Sequence, residues 1–249
     1  MSGSSSQIPP GRELDMMGAE SSCSYLPGRT SRMQYRLAIS LSAERYEHLL
    51  ERGWRRFGRT LFRPMCPACS ECRSLRIEAA RFRPSRSQRR NLSRNTDLTV
   101  EIVPASVTTE HLSLYNRYHA DMMLRRQWPE RSITADEYYE SFLDGEFPFS
   151  FEFRYRLDGK LVGLGIVDIT GRSMSSIYFI HDPQHRDRAL GTFSILTELQ
   201  YAASTGHDWL YMGYYIRDCG SMNYKNRFHP HQLLTAYVDD NAPADWQSV

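Results

Sequence analysis

Residues 181–193, HDPQHRDRALGTF, join a strand-like run (SSIYFI) to a helix-like run (SILTELQYAA). Arg188, Gly191 and Phe193 stand where acyl-coenzyme A-dependent enzymes place an Arg/Gln-x-x-Gly-x-Gly/Ala loop, which wraps pyrophosphate in backbone N–H groups at a helix N-terminus. The last small residue is a phenylalanine here, which disfavours close approach of a pyrophosphate to the backbone. Tyr178, Tyr214 and Tyr215 fall at strand ends near this joint and could donate to an ester or its oxyanion; half-buried sheet packing is the competing reading. Asp168 and His181 are the candidate proton acceptors, with a turn-stabilising alternative for His181 before Asp182-Pro183. Leu164, Ile177 and Phe179 could line a small apolar acyl pocket or belong to ordinary core.

Charge adds a second chemistry. Between Arg52 and Arg94 thirteen arginines stand against two acids, a local charge of +11 in a chain whose net charge is +2, so the remainder carries −9. A basic end on an acidic body suits polyanion binding. Arg86, Arg89 and Arg90 share one face at helical spacing, where like charges repel by about 0.2–0.5 kcal/mol per pair. A phosphate would offset that, so Ser87, Gln88, Arg89 and Arg90 are candidate phosphate contacts; a solvated basic helix is the alternative. Arg76, Arg89, Arg90 and Lys225 could each meet an acidic side chain, and Lys225 is one of two lysines in the chain.

CPACSEC supplies Cys66, Cys69 and Cys72, and Cys23 could add a fourth thiolate for tetrahedral zinc or an iron–sulfur cluster; reduced thiols packed as small apolar groups are the other reading. Five cysteines, an odd number, point to a reducing cytoplasm. The start, MSGSSSQIPPG, lacks the basic-then-apolar order of a secretory signal, and no apolar run approaches a membrane span.

The elements that must position these groups are legible in part. Ser42 caps a helix with Tyr46, Leu49, Leu50 and Trp54 on one face, ending near Gly53. RTLFRP (59–64) and LRIEAARF (75–82) read as strands around the cysteine loop, followed by a helix from Pro84-Ser85 and a strand with Leu98, Val100 and Ile102. Thr108 starts a helix, TADE (134–137) is a capping box, and Asp158-Gly159 turns a hairpin. A strand over 174–180, a helix over 190–203 and strands over 208–215 and 232–238 follow. The expected organisation is a flexible tail (1–22), an Arg/Cys-rich lobe (23–97), a transferase domain (98–240) and a tail (241–249). The class is α+β: a twisted, mainly antiparallel sheet flanked by helices, in the element order of the GNAT acyltransferase fold, in which two neighbouring strands splay to admit the acyl donor.

CSYLPGR (23–29), RGWRRFGRTLFRPMCPACSECRSLRI (52–77), FRPSRSQRRN (82–91), SSIYFIHDP (175–183), LGTFSI (190–195) and YMGYYIRDCGSMNYKNRFHP (211–230) together resemble the aspartate/glutamate leucyltransferases, bacterial relatives of the arginyl-tRNA–protein transferases. The resemblance runs in order from about residue 23 to 240. It implies transfer of leucine from leucyl-tRNA to the α-amine of proteins beginning with Asp or Glu, marking them for N-degron proteolysis, with no cofactor required. Ester aminolysis needs no enzyme nucleophile, because an α-amine with a pKa of about 7.7–8.0 is partly neutral at pH 7. Eukaryotic relatives space their cysteines differently: the N-terminal CxxC is reduced here to Cys23, with Leu26 in the second place. An arginyl donor, an acyl-coenzyme A N-acetyltransferase, a metal-stapled nucleic-acid module and a leucyl/phenylalanyl transferase acting on basic N-termini are the rival readings.

Overall fold

The structure, a computed structural model, describes residues 12–249, and its elements begin and end where local chemistry dictates. Ser42 accepts the Arg45 N–H (3.1 Å) and opens α1 (Ala43–Glu51); Ser85 and Gln88 form a capping box for α2 (Arg86–Arg94). Thr108 caps α3 (Thr109–Arg126), and Thr134 with Glu137 caps the short α4 (Ala135–Tyr138), which continues as one wider turn to Leu143. α5 spans Leu190–Thr205 and stops at Gly206, whose φ is +80°.

Fourteen strands complete the described chain. The early ones are β1 (Glu13–Met17), β2 (Ser21–Ser22), β3 (Thr30–Ser31), β4 (Met33–Ala38), β5 (Arg55–Phe57) and β6 (Thr60–Pro64). β7 (Arg73–Glu78), β8 (Thr99–Pro104), β9 (Ser150–Leu157) and β10 (Lys160–Ile169) follow. Last come β11 (Ser173–His181), β12 (Trp209–Tyr215), β13 (His231–Leu234) and β14 (Trp246–Ser248). Asp158 and Gly159, both at positive φ, close the β9–β10 hairpin as expected.

The main sheet has the order β14-β13-β7-β12-β11-β10-β9-β8 and is antiparallel except where β11 meets β12. On one face α5 and α2 cover a core of Leu75, Ile77, Phe153, Val167, Met174, Leu196 and Leu199. The other face carries α1, with Tyr46, Leu49 and Trp54 against Tyr211, and beside it α3 and α4 over Leu164, Ile166 and Ile180. Strand alternation produces the two faces: Leu210 enters the first core and its neighbour Tyr211 the second. The α+β class, a mainly antiparallel sheet with helices packed on it, is the one expected.

The expected boundaries are corrected in three places. β7 pairs with β12 and β13 inside the main sheet, so the division at 97/98 does not separate two bodies. The separate lobe is the four-stranded sheet β1-β4-β6-β5. Of the tail assigned to 1–22, residues 1–11 lie outside the described residues, but β1 pairs with β4, Glu13 accepts from Arg45 (2.9 Å) and Asp15 accepts from Arg36 (2.6 Å). At the other end β14 pairs with β13, so 241–249 is not a tail either. No described helix is long and apolar enough to cross a membrane.

Candidate active site

β11 and β12 run parallel for three pairs only, ending at Ser175 and Tyr211, and then diverge. A bulge in β11 between Ser176 and Tyr178 turns Tyr178 toward the α3 face, and a second bulge in β12 sits at Gly213, whose φ of +76° favours glycine. The gap holds a guanidinium. Arg55 of β5 donates to Ser175 Oγ (2.7 Å), to the Ser176 carbonyl and to the Tyr211 carbonyl (3.4 Å). Phe57 of the same strand packs edge-on to Tyr178 (6.3 Å), and Phe62 of β6 edge-on to Tyr214 (6.4 Å). The small lobe therefore roofs the splay.

The predicted catalytic residues divide. Tyr178 lies at the splay, but its hydroxyl shares a 2.8 Å hydrogen bond with His119 Nε2. Burial pushes the Tyr178 hydroxyl upward and lowers His119 to about 4, with Arg131 adding to the latter, so His119 is neutral at pH 7. Tyr214 donates to the Phe62 carbonyl (3.0 Å), which commits that hydroxyl to holding the roof. Tyr215 is half-buried against the α5-side core. His181, at the far end of β11, has Nδ1 3.1 Å from the Asp182 carbonyl, and burial lowers its pKa; the geometry is that of a turn stabiliser. Asp168 is a correction: Arg56 takes both its oxygens in a fork (Nε to Oδ2, 2.8 Å), which leaves neither free to accept a proton. Leu164 and Ile177 face the α3 side and Phe179 the α5 side, so they line no common pocket.

The binding candidates divide too. Arg76 is stacked between Trp209 (3.9 Å) and Trp246 (4.2 Å) and donates to Gln232 Oε1, so it is structural. Gln88 is buried, closing its capping box and reaching the Arg227 carbonyl (3.2 Å). Ser87, Arg89 and Arg90 are exposed on α2. Much of the expected basic surface is interior: Arg52, Arg55, Arg56 and Arg63 are all buried. Within residues 52–94 the exposed cations are Arg81, Arg83, Arg86, Arg89, Arg90 and Arg94, of which only Arg81 has a carboxylate within 4 Å among the described residues. α2 is seated on the loop that raised the question of a pyrophosphate cradle. Asn91 and Asn95 donate to the Arg188 carbonyl (2.9 and 3.0 Å), Arg94 donates to the Asp187 carbonyl (2.6 Å), and the Arg188 side chain is paired with Asp97. Phe193 does not plug that loop. As the fourth residue of α5 it points into the core, edge-on to Tyr155 (5.7 Å).

Lys225 is buried. Its ammonium donates to the Tyr214 carbonyl (2.6 Å), and burial, reinforced by Arg55, lowers its pKa to about 7. Neither Arg55 nor Lys225 has a carboxylate within 4 Å among the described residues, so two sealed cations flank the splay without an anion. Sequence reasoning misses Arg55, hidden among thirteen arginines, and Glu198. Glu198 is buried on α5; Oε1 accepts from Ser194 Oγ (2.8 Å), Oε2 has no partner, and burial pushes the carboxyl up to about 7. Its signal was available: a lone acid in the apolar helical run SILTELQYAA.

Beside the roof lies a cavity of about 760 Å³, walled by Tyr25, Met33, Tyr35, Phe62, Tyr214 and Tyr237. Cys23, Cys66, Cys69 and Cys72 all reach it. Cys23 Sγ accepts the N–H groups of Tyr25 and Leu26 (3.4 Å each), Cys66 Sγ accepts that of Arg32 (3.4 Å), and burial pushes the Cys72 thiol up to about 12. Among the described residues no three His, Cys, Asp or Glu side chains are gathered closely enough to hold a metal ion.

The chain matches two family descriptions: "Arginine-tRNA-protein transferase, N terminus" over residues 21–90 and "Arginine-tRNA-protein transferase, C terminus" over residues 110–235. It is 36% identical over 222 residues to an aspartate/glutamate leucyltransferase of Campylobacter jejuni, covering 89% of this chain and 93% of the relative. To the aspartate/glutamate leucyltransferase of Helicobacter hepaticus it is 34% identical over 236 residues, covering 95% and 98%. Among solved structures FemX is similar at a TM-score of 0.44 and 10% identity, over 81% of this chain and 79% of that one. With both halves matched in order and the relatives aligned nearly end to end, the chain belongs to the arginine-tRNA-protein transferase family.

Proposed function

We propose that the protein moves leucine from leucyl-tRNA to the N-terminal α-amine of proteins beginning with Asp or Glu. The reading is carried by one observation: near full-length similarity to proteins named aspartate/glutamate leucyltransferase, in a chain whose arginine-bearing helix α2 is fastened to the loop between β11 and α5. The α-amine nitrogen attacks the ester carbonyl, the amide bond forms and the ribose oxygen leaves. Aligning amine and ester is worth about 7–11 kcal/mol in favourable cases, and the chemistry draws on no cofactor. Arg86, Arg89 and Arg90 of α2 take phosphates of the tRNA acceptor end. Lys225 and Arg55, which flank the splay with no carboxylate within 4 Å among the described residues, attract the acceptor's carboxylate there. The setting is the cytoplasm, where charged tRNA and new N-termini meet.

One assay decides the donor and acceptor. Leucyl-tRNA or arginyl-tRNA is mixed with peptides beginning Asp, Glu, Arg or Ala, and the products are weighed by mass spectrometry. Leucine should appear on the Asp and Glu peptides alone. Arginine on those peptides moves the donor to arginyl-tRNA, and no transfer to either acidic peptide rejects the reading. Metal analysis of the purified protein checks whether the four cavity thiols hold zinc or an iron–sulfur cluster.

A further inference from the structure

The splay has two sides, and the α5 side holds a buried polar chain. Tyr155 OH donates to Ser194 Oγ (3.1 Å), and Ser194 Oγ donates to Glu198 Oε1 (2.8 Å). The chain stops there, because Glu198 Oε2 is buried with no hydrogen-bond partner among the described residues. The carboxyl lies where the strands part. A side chain at Gly165 of β10 would stand 3.6 Å from Oε1, while the Ser176 hydroxyl and the Arg55 guanidinium both favour its charged form. Ser176 is the first residue of β11 beyond the last β11–β12 pair, and Arg55 fills the gap. Tyr155 from β9, Arg55 from the roof and Tyr224 from the segment after β12 are the titratable or charged groups that face it.

A buried carboxyl with one unsatisfied oxygen destabilises a fold, and an apolar residue or a glutamine there would cost less. Its placement is explained by proton transfer. We infer that Glu198 is the proton acceptor of the transfer, receiving the proton of the attacking α-amine at Oε2 and returning it to the departing ribose oxygen. The balance closes: N–C forms, C–O breaks, the amine proton passes to Oε2 and then to the ribose oxygen, and the carboxylate is regenerated. Ser194, donating to Oε1 and itself held by Tyr155, is a positioning residue that leaves Oε2 as the basic atom. An acceptor with a pKa near 7 suits this task at neutral pH.

This role rests on the proposed transfer, and the test keeps the two apart. Single-turnover transfer from leucyl-tRNA to a saturating Glu-initiated peptide is followed from pH 5.5 to 8.5 for wild type, Glu198→Gln and Glu198→Ala. Glu198→Gln should fold, as melting will show, and transfer about 10²–10³-fold more slowly, with peptide KM and tRNA affinity within about twofold of wild type. Glu198→Ala should regain rate with added formate or acetate, acetate being the better per mole because it is the stronger base. An active wild type matched within about threefold by Glu198→Gln, or a folded Glu198→Ala that neither carboxylate rescues, overturns the role alone. A wild type inert with both charged tRNAs overturns the transfer reading and this role with it.

Discussion

Asp168 and Glu198 are both sealed carboxyls, and their partners make them opposites. Asp168 is forked by Arg56, itself 2% exposed and tied to the Gly58 carbonyl and Ser150 Oγ. Removing one partner of such a pair leaves an uncompensated buried charge, so Asp168→Ala should lose about 3–5 kcal/mol in chemical denaturation. A catalytic role would instead leave stability intact. Among the described residues Glu198 has no cation within 4 Å, and its folded pKa is raised to about 7. Its contribution to stability is thus present below the ordinary carboxylate range and is lost as pH rises through about 7. Lys225 carries the reverse shift. Below about pH 7 it is charged and can receive an anion; above, it is neutral. The preference for a Glu-initiated over a Gln-initiated peptide, measured as a ratio of kcat/KM, should therefore fall as pH rises from 6.5 to 8.5. A Lys225→Arg variant should flatten that slope. The sequence marks Lys225 by rarity, but it offers Asp168 and passes over Glu198, because burial and partners, which no spacing reveals, decide what a carboxyl does.

At the scale of elements, helices and the β9–β10 hairpin were legible because their signals are local: Ser42, Ser85 and Thr134 at N-caps, Asp158-Gly159 in the turn. β4 and β5 were not, since MQYRLA and RRF alternate weakly and owe their strands to pairing with β6. The arginine count located a basic region without distinguishing inward from outward. α2 is the outward part, and the interior guanidiniums of Arg36 and Arg63 instead cover Trp54 (4.5 Å each). Replacing both Arg89 and Arg90 with alanine should weaken tRNA binding and reduce the slope of log affinity against log salt by about 1–2, read by filter binding from low to moderate salt. An unchanged slope would place the RNA elsewhere. Asn91, Asn95 and Arg94 fasten the same helix to the α5 loop, so a bound acceptor stem would bear on the helix that carries Glu198.

The whole molecule is knitted across the boundaries drawn from composition. β1 delivers Glu13 and Asp15 to Arg36 and Arg45, which also hold Asp240 near the C-terminal end, closing a network between segments more than two hundred residues apart. A polar start rich in serine and glycine reads as a tail; from Glu13 onward the β1–β4 pairing and this long-range ion network say otherwise. Deleting residues 1–18 should lower the melting temperature by several degrees and steepen its fall with salt, whereas a disposable tail would change neither. Removing those carboxylates leaves the buried Arg36 and the half-buried Arg45 with Asp240 alone to share among the described residues.

The place of β7 constrains how this enzyme can be divided. Synthesised well before the strands on either side of it, it lies between β12 and β13, bonded to both. A fragment beginning at residue 98 would strip β12 of its outer neighbour while its inner side is already parted from β11. That strand would be left held by three residue pairs. Its bare row of amides and carbonyls would invite the same strand of another copy, turning half an enzyme into a seed for association.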